Sequence, residues 1–220
     1  MKALIFDLDG TLIDTVYAQV LAWQKSFATL EHLTVPAWCL HQKIGLDGKL
    51  LAIATGAELA RKISSKRADD LDRKHSELMK EILPHPDVLP GAIELLAELR
   101  KRKIPHGIAT SSTRKGLTGP IKILGIPKDI VVICSDDVED AKPEPDLFVR
   151  CSQRLEISPR DCFAVGDSIW DMLAAKRAGM LSVGLLSGGL TEQTLAQAGA
   201  YRVYRDPSQM NQKLFELGIG

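Results

Sequence analysis

The feature that most constrains this chain is a short apolar run, Ala3-Leu4-Ile5-Phe6, that stops abruptly at Asp7-Leu8-Asp9-Gly10-Thr11. Four consecutive apolar residues suit a strand covered on both faces, as strands of a parallel sheet are. Two carboxylates one residue apart are costly to desolvate without a cation or hydrogen-bond donors. Gly10 permits a tight turn or a close backbone approach to a ligand. The carboxyl ends of parallel strands are where open α/β sheets place their sites. Asp and Gly are also ordinary turn residues, so a solvated turn remains open from these residues alone.

Downstream the pattern turns helical. Val20, Leu21, Phe27 and Leu30 recur at helix spacing, and Leu50 to Leu59 and Leu71 to Leu83 read as further helices, with no convincing strand from Val16 to Leu83. Pro84-His85-Pro86-Asp87 breaks the pattern, and a helix opens after Leu89-Pro90-Gly91. From Ile104 strand and helix alternate. Strands are expected at Ile104–Ala109, Val131–Cys134, Cys162–Val165, Leu181–Leu185 and Tyr201–Tyr204. Helices are expected near Arg114–Leu124, Pro145–Leu155, Met172–Ala178, Glu192–Ala198 and Ser208–Leu217. With right-handed crossovers this gives an α/β fold, a three-layer, doubly wound (Rossmann-like) parallel sheet. The helical block between the first strand and the rest reads as a small all-α cap. The expected division is a core of residues 1–15 and 85–220 and a cap of residues 16–84.

A formal net charge of zero gives no reason to expect a nucleic-acid or membrane-surface partner. No apolar run approaches a membrane span, and the start passes directly into a strand, so no signal peptide is expected. Cys39, Cys134, Cys151 and Cys162 show no metal-type pairing and read as reduced residues of a cytoplasmic protein.

Three further segments carry polar residues beside strand ends. Thr110-Ser111-Ser112 places hydroxyls where an oxyanion could bind or a helix could be capped. Lys142 stands in Asp140-Ala141-Lys142-Pro143-Glu144-Pro145-Asp146, either as a site cation or as a solvated loop charge. Phe163-Ala164-Val165-Gly166-Asp167-Ser168-Ile169-Trp170-Asp171 is another apolar strand ending in acid, with Asp167 also placed to cap a helix and Asp171 in its first turn. Trp170 reads as packing, and Leu185 to Leu190 as a strand-to-helix loop that could border the site.

These four segments, in this order, resemble motifs I to IV of the haloacid dehalogenase (HAD) superfamily in its phosphatase form. The resemblance covers nearly the whole chain, most strongly the core. It implies that Asp7 is a nucleophile, Asp9 a general acid/base, Thr110 a phosphoryl-binding hydroxyl and Lys142 the cation of motif III. It implies Mg²⁺ held by Asp7, Asp9 (through its backbone carbonyl) and Asp167, with Asp171 a weaker ligand candidate. An oxygen-only set of this kind suits Mg²⁺ and a substrate phosphate. Gly10 and Ser111 would border the phosphoryl group, and Lys43 and Lys49, in the cap segment His41–Lys49, could meet an anionic substrate or simply be solvated.

The expected activity is Mg²⁺-dependent hydrolysis of a small-molecule phosphate ester through an aspartyl-phosphate, similar to phosphoglycolate phosphatases, by a monomer or weak dimer. A β-phosphoglucomutase-like phosphotransferase would use the same two aspartates. Thr11 favours the phosphatase form, and Gly48 stands where some such mutases carry arginine. An idle binding protein on the same fold is the reading from another class, and the complete set of motif residues argues against it.

Overall fold

The computed structural model describes residues 2–219 and divides into two compact units, one formed by the residues up to Asp14 and from Asp87 onward, the other by Thr15–Pro86. The first unit is built on a six-stranded parallel sheet, ordered β5-β4-β1-β6-β7-β8. Its strands are β1 (Ala3–Phe6), β4 (His106–Ala109), β5 (Val131–Ile133), β6 (Cys162–Gly166), β7 (Leu181–Leu185) and β8 (Ala200–Tyr204). The chain winds outward from β1 through β4 to β5. It then returns to the other side of β1 and continues through β6, β7 and β8. β1 therefore sits at the point where the winding reverses, and a crevice opens there beyond the carboxyl ends of the strands.

Alternation along β1 explains its uninterrupted apolar sequence. Leu4 and Phe6 enter one core layer with Leu95 and Leu99 of α5 (Ala92–Lys101) and Met210 of α10 (Pro207–Gln212). Ala3 and Ile5 enter the opposite layer with Leu147 and Phe148 of α7 (Asp146–Arg154) and Ala174 and Ala175 of α8 (Ile169–Ala178). All four β1 residues are fully buried, as expected of a strand covered on both faces. Helices α6 (Thr118–Ile123) and α9 (Glu192–Ala198) complete the unit. The edge strand β5 is only three residues long, and Lys122, Lys128 and Arg154 line the groove beside it. Short, cationic edges resist pairing with other chains.

The second unit contains α1 (Val16–Glu31), α2 (Ala37–His41), α3 (Gly48–Glu58) and α4 (Ser65–Ile82), with no strand among its described residues. Its core joins Val20, Trp23 and Phe27 of α1 to Leu51 of α3 and Leu71 of α4. Trp23 stacks on His75 with ring centroids 4.4 Å apart. Burial pushes the His75 imidazole down to about 3, so it packs there as a neutral ring.

Several boundaries differ from expectation. The helix expected over residues 114–124 is confined to α6, after a run of turns. Pro120 is the reason: it fits the first turn of a helix starting at Thr118 but would sit in the interior of one starting at Arg114. Helix α4 begins six residues earlier than Leu71, where the Ser64 hydroxyl accepts from Arg67 N at 3.3 Å and caps it. Its first turns are charged and carry little apolar signal. The final helix is interrupted at Lys213 between α10 and a 3₁₀ turn at Leu214–Leu217. The sequence also carries no sign of a two-residue antiparallel ribbon that flanks the helical block, β2 (Ile13–Asp14) with β3 (Asp87–Val88).

Candidate active site

Asp7 follows β1 directly and stays on the ladder, its N–H donating to Val165 O at 2.8 Å. The chain then turns sharply. Leu12 N reaches Leu8 O at 2.8 Å, Gly10 N reaches Ile13 O at 2.7 Å, and Gly10 takes φ +77°. Leu8 and Leu12 are fully buried and anchor the turn in the core. The alternation of apolar and acidic residues thus pins the backbone while projecting the carboxylates out of the strand end.

Lys142 is completely buried, and its ammonium lies between two carboxylates. It pairs with Asp7, and with Asp171 Oδ1 at 2.7 Å. The other Asp171 oxygen accepts from Ser168 N at 3.0 Å and Ser168 Oγ at 2.6 Å, forming a reciprocal cap on α8. Both Asp171 oxygens therefore have protein partners. Asp171 anchors Lys142 and starts α8, which makes it a poorer metal ligand than Asp167. Asp167 ends β6, and Thr11 Oγ1 donates to its Oδ1 at 2.9 Å.

Two glycines make this crowding possible. A Cβ on Gly166 would stand 2.3 Å from Asp171 Cγ, and one on Gly188 would stand 1.9 Å from Asp167 Oδ2. Beside Gly188, Ser187 Oγ donates to Gly10 O at 2.6 Å and ties the loop after β7 to the turn after β1.

Asp7, Asp167 and Asp171 are all buried and offer carboxylate oxygens within 4.8 Å of one another. One ammonium faces three carboxylates there. Burial pushes Asp7 up to about 7, against the pull of Lys142 and with a further push from Asp171 and Asp9. Burial, then the Asp171 and Asp7 charges, holds Asp167 well above the usual carboxylate range. Burial disfavours the Lys142 charge, but Asp171 and Asp7 more than offset this and raise it above the ordinary lysine value. The centre has an excess of negative charge, all of it on oxygen, and a hard divalent cation would neutralise it. The donor set fits such an ion, with Asp7 and Asp167 as the carboxylates best placed to hold it. Gly188→Ala is accordingly expected to displace Asp167 and weaken the affinity for a divalent cation by about 10–100-fold. Mg²⁺ titration followed by thermal shift would check this, and unchanged affinity would show that the loop yields.

The remaining expected residues divide into two groups. Thr110 is fully buried at the end of β4, and its Oγ1 accepts from Ser112 N at 3.1 Å. Ser111 is half-buried beside it, and Gly10 is buried. Asp9 is half-buried and outside the acidic trio, with Ser112 Oγ donating to its Oδ2 at 2.8 Å. In the helical unit the Lys43 ammonium is committed to Glu58 and, at 2.9 Å, to Cys39 O. Lys49 pairs with Asp69 at 3.0 Å, both side chains exposed to solvent. An anionic ligand would have to take Lys43 from a carboxylate that it already neutralises. Ser187 and Gly188 lie in the Leu185–Leu190 loop that could border the site, and Ser112 and Ser168 in the segments beside strand ends, but the sequence assigns none of the four an individual role. Ser168-Ile169-Trp170-Asp171 does carry the Ser-x-x-acid signature of a helix start. Ser112 and Ser187 depend on contacts 103 and 177 residues apart along the chain, and Gly188 on its close approach to Asp167, and none leaves a local signal.

The family model described as haloacid dehalogenase-like hydrolase matches residues 4–185. The chain is 31% identical over 199 residues to β-phosphoglucomutase of Bacillus subtilis, covering 86% of this chain and 84% of that protein. It is 30% identical over 210 residues to phosphoglycolate phosphatase of Shigella boydii, covering 86% and 82%. A crystal structure of a hydrolase from Pseudomonas syringae superposes with TM-score 0.94 at 38% identity, covering 99% of each chain.

Proposed function

Since the chain belongs to the haloacid dehalogenase-like hydrolases and is a phosphoric monoester hydrolase, we propose that it cleaves a small phosphorylated metabolite through an aspartyl-phosphate on Asp7. The observation that carries this reading is the unequal treatment of two aspartates two residues apart. Asp7 is buried against a lysine ammonium, whereas Asp9 stands outside the trio against a hydroxyl. The ammonium favours the ionised nucleophile against the burial that opposes it, and a group that gives and takes a proton suits the second environment.

In the proposed reaction an Asp7 carboxylate oxygen attacks phosphorus in line, the Asp7–phosphorus bond forms and the ester bond breaks. Asp9 gives its proton to the leaving alcohol. A water then attacks the aspartyl-phosphate, Asp9 takes the water's proton, and Asp7 is released as carboxylate with inorganic phosphate. Lys142 supports the negative charge carried by the equatorial oxygens, and the Thr110 hydroxyl and the backbone N–H groups after Asp7 offer hydrogen bonds to them. Mg²⁺ bound by Asp7 and Asp167 would neutralise phosphoryl charge and orient the group. The helical unit would serve as the cap that selects the substrate, with Lys49 its more available cation.

The mutase alternative is less favoured. Where some such mutases carry arginine this chain has Gly48, and a Cβ there would lie 2.0 Å from Asp72 Oδ1. A long side chain at that position would have to displace Asp72. The test is phosphate release from a panel of phosphorylated metabolites, with Mg²⁺ and with EDTA. We expect release from at least one ester, falling about 100-fold or more in EDTA. Conversion of β-glucose 1-phosphate to the 6-phosphate without phosphate release would replace this reading with the mutase. Absence of any turnover would leave a binding protein.

A further inference from the structure

We propose that Ser112 is a positioning residue that aims the Asp9 carboxylate at the leaving oxygen. The inference rests on the reading of Asp9 as proton donor and acceptor. Ser112 Oγ donates to Asp9 Oδ2 at 2.8 Å, joining the loop after β4 to the turn after β1. The serine is itself held from two directions. Its N–H donates to Thr110 Oγ1 at 3.1 Å. Its carbonyl accepts from Ser135 N at 3.2 Å and from Ser135 Oγ at 3.3 Å. The ends of β4 and β5 thus fix the backbone from which the hydroxyl reaches Asp9.

This arrangement matters because Asp9 is only half-buried in an otherwise buried turn, and the direction of its short carboxylate decides whether it meets the reacting oxygen. Proton transfer requires heavy-atom separations of about 2.6–3.2 Å, and a misplacement of about 1 Å can cost about 100-fold. A hydroxyl is also suited chemically, because it donates to a carboxylate and can accept from a carboxylic acid. The same contact can hold Asp9 before and after it transfers the proton. An ammonium, which only donates, is what the nucleophile receives instead.

The test measures the phosphorylation step of Ser112→Ala and Ser112→Thr by rapid acid quench, using p-nitrophenyl phosphate and phenyl phosphate. Nitrophenolate departs without a proton, whereas phenolate benefits from one. Ser112→Ala should slow phosphoenzyme formation from phenyl phosphate by about 10–100-fold and from p-nitrophenyl phosphate by no more than about threefold. Ser112→Thr, which keeps the hydroxyl, should recover most of the phenyl phosphate rate. Equal losses on both esters would show that Ser112 only supports the loop and would overturn the proposal, as would no loss on either. Wild-type protein forming no phosphoenzyme from either ester would instead remove the underlying reading of Asp7 and Asp9, and the proposal with it.

Discussion

Replacing Asp7 with asparagine is expected to lower steady-state phosphate release by at least about 10⁴-fold while leaving a folded protein. The size follows from what is removed. Losing the nucleophile of a covalent mechanism costs far more than losing a binding contact, because neither chemical step can proceed as before. The fold should survive because asparagine keeps the shape of the side chain and Lys142 retains Asp171, 2.7 Å away. Asparagine also removes one of three crowded carboxylates. In the absence of Mg²⁺ the variant should therefore melt no lower than the parent. Steady-state rates beside thermal denaturation would check both halves. A variant with a tenth of the parent activity would mean that Asp7 is not the nucleophile.

Lys142→Met is expected to be the most damaging single substitution to stability. It leaves the Asp7 and Asp171 carboxylates buried without their cation. Breaking a buried pair from one side costs about 3–5 kcal/mol, and activity should fall with it. The pH dependence separates charge from packing. Asp7 in the folded protein is pushed up to about 7, whereas an unfolded carboxylate titrates near 4, about its usual value. The folded state therefore binds the proton more tightly. This group's contribution is most favourable below the unfolded value and is lost as pH rises towards the folded one. Without the ammonium the folded-state values rise further. Lys142→Met should thus recover much of its stability at pH 5 and be worst at pH 8. Urea denaturation at the two pH values would decide. An equal deficit at both would assign the loss to packing alone.

The core fold was legible because β1 and β6 bury apolar residues on both faces and show it as uninterrupted runs. The acids ending β1 and β6 were legible for the same reason, since carboxylates placed directly after such a run need a compensating partner. Lys142 was visible only through its resemblance to a motif. Composition alone describes a charged loop, yet the side chain is wholly buried. Start and stop signals were harder to read. Pro120 shortens α6, and the polar first turns of α4 hide its beginning. Apart from the Ser168 cap on Asp171, what supports the acids was not legible. Thr11 meets Asp167 across 156 residues and Ser112 meets Asp9 across 103. Gly188 is needed because Asp167 lies against its Cα. Such contacts exist only after the sheet has brought the strand ends together.

The proposed covalent intermediate on Asp7 can be trapped chemically. Wild-type protein would be mixed with a ³²P-labelled phosphate ester and Mg²⁺, quenched in acid within milliseconds, digested and mapped. An acid-stable, hydroxylamine-labile label is expected on the peptide carrying Asp7 and absent from Asp7→Asn. Label on any other residue, or alcohol released in a stoichiometric burst with no labelled peptide, would contradict a covalent intermediate on Asp7.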